Sequence, residues 1–534
     1  MKLKPLLCLK LFCLILLMNR AYAQESARIL PENWAAGLEI TSMNQLSEDI
    51  DAFLNQALSE VKVKLKPEDY LIPFEFESLN GVARDRKIRA HVLQKEKGVY
   101  LFYAVYPMED LEAFLKQFSD LEKISEQEYR TEDYHFRLFG DELVVTVAEN
   151  AAGIQEWMTQ DVVEYDLEGD IRIRSDFTIL AEDYQAAIQE NLSILDSLIP
   201  AQGPEGNPVT PWLVQPVGQA ETVELNLDIR ADVLQLTKKV IPRAGSELAQ
   251  WTANFKPHQP DLNLSFFQPG NFIASIANCS LESLHDFDEH ILNRDEETMD
   301  FWRLMEWSSA DSFMFSLGIT DNRENPFVMN FFQPIENRQA VQELVRQRLL
   351  ELEQLNEVED SLYTYEVNPQ AGEIDGLPYS LLTVSPVIDD PEADESEFPP
   401  YTIKTIVLEN DLLSTTGELE DLVQQVQSRD GAFAEIFSHL PANTLIKTRL
   451  SLLQAIRAAQ MQLAQNTPGF NPLLMFQVTD MESPGIVLDV RVENENWIAT
   501  VEIPAMEIGA LEASMLGKKK VDPKERYGNT KSLK

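Results

Sequence analysis

Two halves of this chain carry the same short sequence matches in the same order. In the clearest match, an apolar stretch runs into a proline that opens a helix-start signal, once at Pro107 and again at Pro334. The four matched pairs are residues 30–34 with 268–272, 102–110 with 329–337, 204–208 with 468–472, and 227–230 with 488–491. Self-similarity of this kind indicates a repeated architecture, so we predict two copies of one fold. The alternative is two unrelated α+β domains whose helix-start motifs match by coincidence.

Within each copy, the elements predict a sheet built from hairpins. Residues 134–147 form alternating strands around a Gly-Asp turn, and residues 401–415 do the same around a turn at 409–411. Apolar residues at helical spacing follow each hairpin. Because consecutive hairpins favour antiparallel pairing, we predict an α+β protein of two tandem, internally duplicated domains, each a mainly antiparallel sheet with helices packed on one face.

The domain limits follow from the repeat. We place the first α+β repeat domain at residues 24–255 and the second at residues 256–516, and we assign residues 517–534 to a basic, flexible tail. The spacing between matches grows in the second half, and the acidic, proline-bounded stretch at 388–400 fits an insertion there.

The amino terminus has the three parts of a secretory signal peptide. Lys2 and Lys4 precede an apolar run, and Ala21 and Ala23 then form the small-x-small pattern that signal peptidase cleaves after, so residues 1–23 are predicted to be removed. The apolar run is shorter than the ~20 residues that span a bilayer. We therefore expect an exported protein, periplasmic or extracellular, that does not span the membrane after cleavage; an uncleaved anchor is the alternative.

Charge and cysteine content narrow the function. The formal net charge is −44, which repels phosphate backbones, so we expect no nucleic-acid partner. Cleavage of residues 1–23 would leave Cys279 as the last cysteine, so no intramolecular disulfide is expected. Divalent cations, basic proteins or simple solubility remain as reasons for the acidity.

Few residues suggest a metal site. His285, Glu289 and His290 fall near one another on a predicted helix, where spacings of four residues share a face, although a zinc site needs three or four ligands. Calcium prefers carboxylate oxygens on loops, and two acidic segments, residues 166–170 and 389–395, contain them without EF-hand spacing. We predict no cofactor, with calcium as the one candidate. A solvated helix face and ordinary turns are the alternatives.

The remaining candidate is an aromatic side chain on a loop. Trp212 lies in a proline-rich segment, where it either offers a platform for a ligand or partner or pins the loop to its own domain.

No catalytic motif accompanies these candidates, since the sequence has no phosphate loop, no G-x-S-x-G and no H-E-x-x-H. Our leading hypothesis is therefore a non-enzymatic binding or scaffold module of the cell envelope or extracellular space. Its partner, a protein or a small ligand, would sit in a cleft between the repeats. The alternatives are a hydrolase that uses carboxylates, with or without calcium, and a carrier of an apolar ligand.

Overall fold

The computed structural model describes most of residues 33–58, 74–180, 219–283, 311–319, 327–356, 363–387, 400–455 and 484–515, with short gaps inside these ranges. The described residues divide into two compact units. Unit 1 contains those within Met1–Asn254 and Glu493–Ala505, and unit 2 contains those within Phe255–Val492 and Met506–Lys534. The signal peptide and the basic tail predicted from the sequence lie outside the described residues.

The predicted α+β class is wrong. Of the described residues, 47% are in strands and 25% in helices, and the described strands pair antiparallel with few helices packed on them. Helices also do not keep to one face in unit 2. Ile406 faces the core cluster beneath one helix, whereas its strand neighbours Thr405 and Val407 face a different helix on the opposite side. Side chains alternate along a strand, so these two helices cover opposite faces.

Unit 1 is an antiparallel sheet of eleven described strands in the order β4-β5-β6-β7-β3-β2-β1-β8-β9-β10-β20. The strands are β1 Trp34–Ile40, β2 Ile88–Glu96, β3 Val99–Pro107, β4 Glu122–Lys123, β5 Glu128–Arg130, β6 Tyr134–Phe139, β7 Glu142–Val147, β8 Ile171–Asp176, β9 Ala220–Ile229, β10 Val233–Pro242 and β20 Asn496–Pro504. The helices are α1 Met43–Ala57, α2 Leu111–Leu115 and α3 Glu247–Asn254. A 3₁₀ turn occupies Glu156–Thr159, where the sequence predicts a helix.

Unit 2 is an antiparallel sheet of nine described strands in the order β14-β15-β16-β17-β13-β12-β11-β18-β19. The strands are β11 Asn271–Ala277, β12 Phe313–Ile319, β13 Phe327–Pro334, β14 Tyr363–Ile374, β15 Leu377–Pro386, β16 Tyr401–Val407, β17 Asp411–Thr415, β18 Thr444–Leu450 and β19 Ile486–Glu493. The helices are α4 Arg338–Leu355, α5 Leu419–Ser428, α6 Ala434–Phe437 and α7 Ala505–Met515, which begins directly after β20. A 3₁₀ turn occupies Leu264–Phe266.

The order of pairing recurs between the units. Every described pairing among β11–β19 repeats one among β1–β9, and the first strand of each set has a register shift two residues into the strand, at Trp34/Ala36 and at Asn271/Ile273. Pro107 and Pro334 both end a strand, opposite Glu142 and Asp411. This recurrence is a property of the fold; a common origin of the two halves stays a prediction.

One sequence match does not mark equivalent positions. Asp228 and Asp489 lie on β9 and β19, but at different distances from the hairpin turns that follow these strands. The turn after β9 is closed between Arg230 and Val233, whereas the turn after β19 centres on Asn494 and Glu495, which have positive φ. The match of these aspartates is therefore out of register.

Each unit has its own apolar core. In unit 2, Phe332, Ile406 and Leu413 of the sheet pack beneath α5, while in unit 1 Tyr103, Val105 and other residues of the β2–β3–β7 region pack against Ile154 and Met158. No helix in the described ranges is long and apolar enough to cross a lipid bilayer.

Candidate functional site

The site residues predicted from the sequence are not tested by the structure. His285, Glu289, His290 and Trp212 all lie outside the described residues, as does the acidic segment 389–395. Within the described ranges, no group of three or more histidine, cysteine or acidic side chains is placed to hold a metal ion. Cys279 is buried and is not part of a disulfide.

The other calcium candidate, residues 166–170, is a turn fastened to the sheet of unit 1. Asp170 accepts a hydrogen bond from the main-chain N–H of Ile229 at 2.8 Å, and the Asp166 carboxylate pairs with Lys239. The hydrogen bond from Lys239 lowers the pKa of Asp166, whereas burial raises the pKa of Asp170. The two carboxylates thus turn to separate protein partners and do not converge on one point.

Unit 2 contains a groove that is lined by described residues. Its volume is about 620 Å³, within the usual range for ligand sites, and it lies between α4 and the sheet face of β14, β15 and β16. One flank of α4 forms the wall, and strand residues form the floor. The lining residues are Gln339, Gln342, Glu343, Val345, Arg346, Leu349, Leu350, Asn368, Pro369, Gln370, Pro378, Ser380, Thr405 and Val407.

Local sequence fixes the wall of this groove. Asn337 caps α4 by accepting a hydrogen bond from the N–H of Ala340 at 3.1 Å, as expected for an asparagine just before a helix. Val345 and Leu349 are buried against the sheet and anchor the helix. At its other end, Asn356 exchanges two hydrogen bonds of 2.7 Å with the main chain of Tyr365 on β14. The helix is thereby tied to the floor at both its middle and its end.

The groove offers neutral hydrogen-bonding groups. The side-chain amides of Gln339, Gln342 and Gln370 make no hydrogen bond with any described residue, so each has donors and an acceptor available. The two charges at the wall neutralise each other, because Arg346 binds Glu343 at 2.8 Å. The described lining of the groove therefore combines neutral hydrogen-bonding groups with apolar side chains.

Unit 1 carries a different polar feature, the ionic face, formed by Glu39, Arg89, Arg172, Arg174 and Glu224. Glu39 pairs with Arg172 and Glu224 with Arg174, the latter at 2.7 Å, while Arg89 pairs with Glu142. Glu39 and Glu224 are both almost fully buried. Burial raises the pKa of Glu224, and the guanidinium of Arg174 acts against that rise.

The fold does not require these charges. Glu39 is paired across the sheet with Arg89, and the residues at the matching positions of unit 2, Ile276 and Met314, are apolar members of its core. The guanidinium partners hold the carboxylates of unit 1 as ion pairs, so no described carboxylate of this face is free to act as a general acid or base in the manner that paired catalytic carboxylates do.

An aromatic group lies beside the ionic face. Trp34 donates its indole N–H to Nδ1 of His91 at 3.2 Å, and the ring of Tyr165 lies against Arg172. Gly37 leaves room for this contact, since a Cβ there would come within 2.9 Å of the Trp34 ring and 3.1 Å of the Tyr165 hydroxyl. Burial raises the pKa of Tyr165 well above its usual value.

Comparison with known proteins adds no relative: no family model, no curated protein and no solved structure matches the chain.

Proposed function

We propose that this chain is an exported, non-enzymatic binding protein, and that the groove between α4 and strands β14–β16 is its ligand site. The observation that carries the proposal is the combination of a volume of about 620 Å³ with glutamine amides that are not used by the fold. Ligand sites are concave, largely apolar and provided with a few polar groups that orient the ligand. The groove is concave and provided with such polar groups, although its lining is mixed and not largely apolar.

Two observations favour binding over the carboxylate hydrolase. Among the described residues, the acids whose pKa is raised are Glu224 and Asp170, and they are engaged by Arg174 and by a main-chain N–H. The groove itself contains one carboxylate, Glu343, which is exposed and paired. The mixed lining likewise favours a polar ligand over the wholly apolar one that a carrier would take.

Saturation-transfer NMR on the whole protein tests this proposal. Three pools of uncharged probes are offered: blocked short peptides, linear oligosaccharides and alkyl polyethers. Gln342→Trp places a large side chain in the groove from the middle of α4, whereas Gln347→Trp places the same side chain on a flank of α4 that does not line it. We expect at least one pool to receive saturation with the wild type and with Gln347→Trp, and to lose it with Gln342→Trp.

Circular dichroism and the unfolding midpoint establish that both variants are folded. Absence of binding by all three pools contradicts the proposal. So does binding that Gln342→Trp leaves unchanged, because the ligand would then occupy another part of the molecule.

A further inference from the structure

The dimensions of the groove set the length of its ligand. Its wall follows one flank of α4 from Gln339 to Leu350, with Gln342 and Arg346 between them. At 1.5 Å per residue, this flank is about 16 Å long. An extended polypeptide rises about 3.3 Å per residue, so about five residues span the same distance. Divided over five residues, the volume of about 620 Å³ gives roughly 120 Å³ to each.

The polar groups of the groove match a peptide main chain. Each peptide unit offers one N–H and one C=O, and a primary amide side chain offers the complementary acceptor and donors. Gln339 and Gln342 stand on the wall and Gln370 on the floor, so amides approach from both sides. Asn368 accepts a hydrogen bond from the N–H of Gln370 at 3.2 Å through its side-chain oxygen, which leaves its NH₂ group as a further donor.

The apolar groups of the groove match short aliphatic side chains. Leu350 is 40% exposed at the wall, and Pro369 and Pro378 border the floor. No aromatic side chain is among the described lining residues, so the groove lacks the stacking surface that base and sugar rings use. Because Arg346 and Glu343 neutralise each other, charged side chains on the ligand gain no partner.

Recognition here differs from the addition of a strand to a sheet edge. The outer main-chain groups of Tyr365 on β14 are already taken by Asn356, and Pro369 has no N–H to donate. Resting on the function proposed above, we infer that the groove binds an extended, uncharged segment of about five aliphatic residues through side-chain amides.

Titration calorimetry with synthetic probes tests the inference. Blocked peptides of three, five and seven residues, built from alanine and valine, are compared with a pentapeptide of the same series carrying two glutamates and with a linear pentasaccharide. We expect affinity to rise at least tenfold from three to five residues and to change less than twofold from five to seven. We expect the acidic pentapeptide and the pentasaccharide to bind at least tenfold more weakly than the neutral pentapeptide.

Two variants distinguish binding in the groove from binding elsewhere on the protein. Gln342→Ala should weaken pentapeptide binding about fivefold, the effect of one hydrogen bond, and Gln347→Ala should leave it unchanged. Affinity that does not depend on peptide length overturns the inference, as does a pentasaccharide that binds at the groove in place of the peptides; in the latter case the function proposed above still stands. If no probe binds, both proposals are wrong.

Discussion

Lys238 of β10 makes unit 1 sensitive to pH, and its replacement by methionine should stabilise the protein. The side chain is buried, its partners on the neighbouring strands are Leu225 and Ala499, and the ring of Trp497 lies 5.5 Å from its ammonium. Burial lowers the pKa of Lys238 from 10.5 to about 7, because the charged form loses its hydration. Methionine has a similar length and no charge, so it fills the same space without that cost.

The lowered pKa of Lys238 gives the size of the expected gain in stability. At 1.36 kcal/mol per pH unit, lowering a pKa from 10.5 to about 7 corresponds to about 5 kcal/mol. Attraction between the ammonium and the indole ring returns up to ~2 kcal/mol. The Lys238→Met variant should therefore be more stable than the wild type by about 3–5 kcal/mol at pH 7.

The sign of the pH dependence follows from proton binding. Between pH 7 and 10.5 the unfolded chain keeps the lysine proton while the native state releases it, so wild-type stability rises with pH in this window. The advantage of Lys238→Met should shrink across the window and disappear near pH 10.5. Urea unfolding followed by tryptophan fluorescence at pH 7, 8.5 and 10 measures the difference in unfolding free energy between Lys238→Met and the wild type.

The neighbouring lysine provides the control. Lys239 points to the other face of β10 and pairs with Asp166, so Lys239→Met should destabilise the protein by about 1 kcal/mol and show no gain at pH 7. If the stabilities of the wild type and Lys238→Met run parallel between pH 7 and 10, then burial does not hold this lysine neutral and the reasoning fails.

Three further changes test other contacts. Glu224→Ala leaves the partly buried guanidinium of Arg174 without its carboxylate and should cost about 3–5 kcal/mol in urea unfolding; a loss below 1 kcal/mol would mean that the pair is solvated. Glu507→Ala removes a fully buried carboxylate that accepts two main-chain hydrogen bonds of 2.7 and 3.0 Å in unit 2, and it should cost about 2–4 kcal/mol by the same measurement. Gly81→Ala places a Cβ 2.1 Å from a main-chain oxygen at φ +89°, whereas Gly140→Ala, at φ +62°, meets no atom within 4 Å. Gly81→Ala should lower the unfolding midpoint more than Gly140→Ala, whose effect should correspond to about 1 kcal/mol. Equal effects of the two variants would contradict the geometry.

Local structure was largely readable from the sequence. The two hairpins predicted at 134–147 and 401–415 are present as β6–β7 and β16–β17, because alternation and turn residues are short-range signals. Asp110 caps α2 and Asn337 caps α4. Each lies three residues after the proline that ends the preceding strand, and each has a side chain that is favoured at a helix N-cap. These features depend only on neighbours along the chain.

The fold class was not readable in the same way. After the β6–β7 hairpin, where helical spacing predicts a helix, the described residues Glu156–Thr159 form a short 3₁₀ turn. Short amphipathic segments form helices in proteins when packing supports them, and that support depends on residues distant in sequence. Which sheet face a helix covers is decided by the pairing register, which a single sequence does not reveal.

The groove shows which features the sequence reveals and which it does not. The sequence alone determined the stripe of Gln339, Gln342 and Leu350 on one helix flank, the cap that starts that helix, and the neutral character of its side chains. Only the tertiary structure decided that the stripe faces Gln370 and Thr405 across an open space. The physical reason is that helix and hairpin signals act over a few residues, whereas a concave surface exists only where separate elements approach and leave a space unfilled.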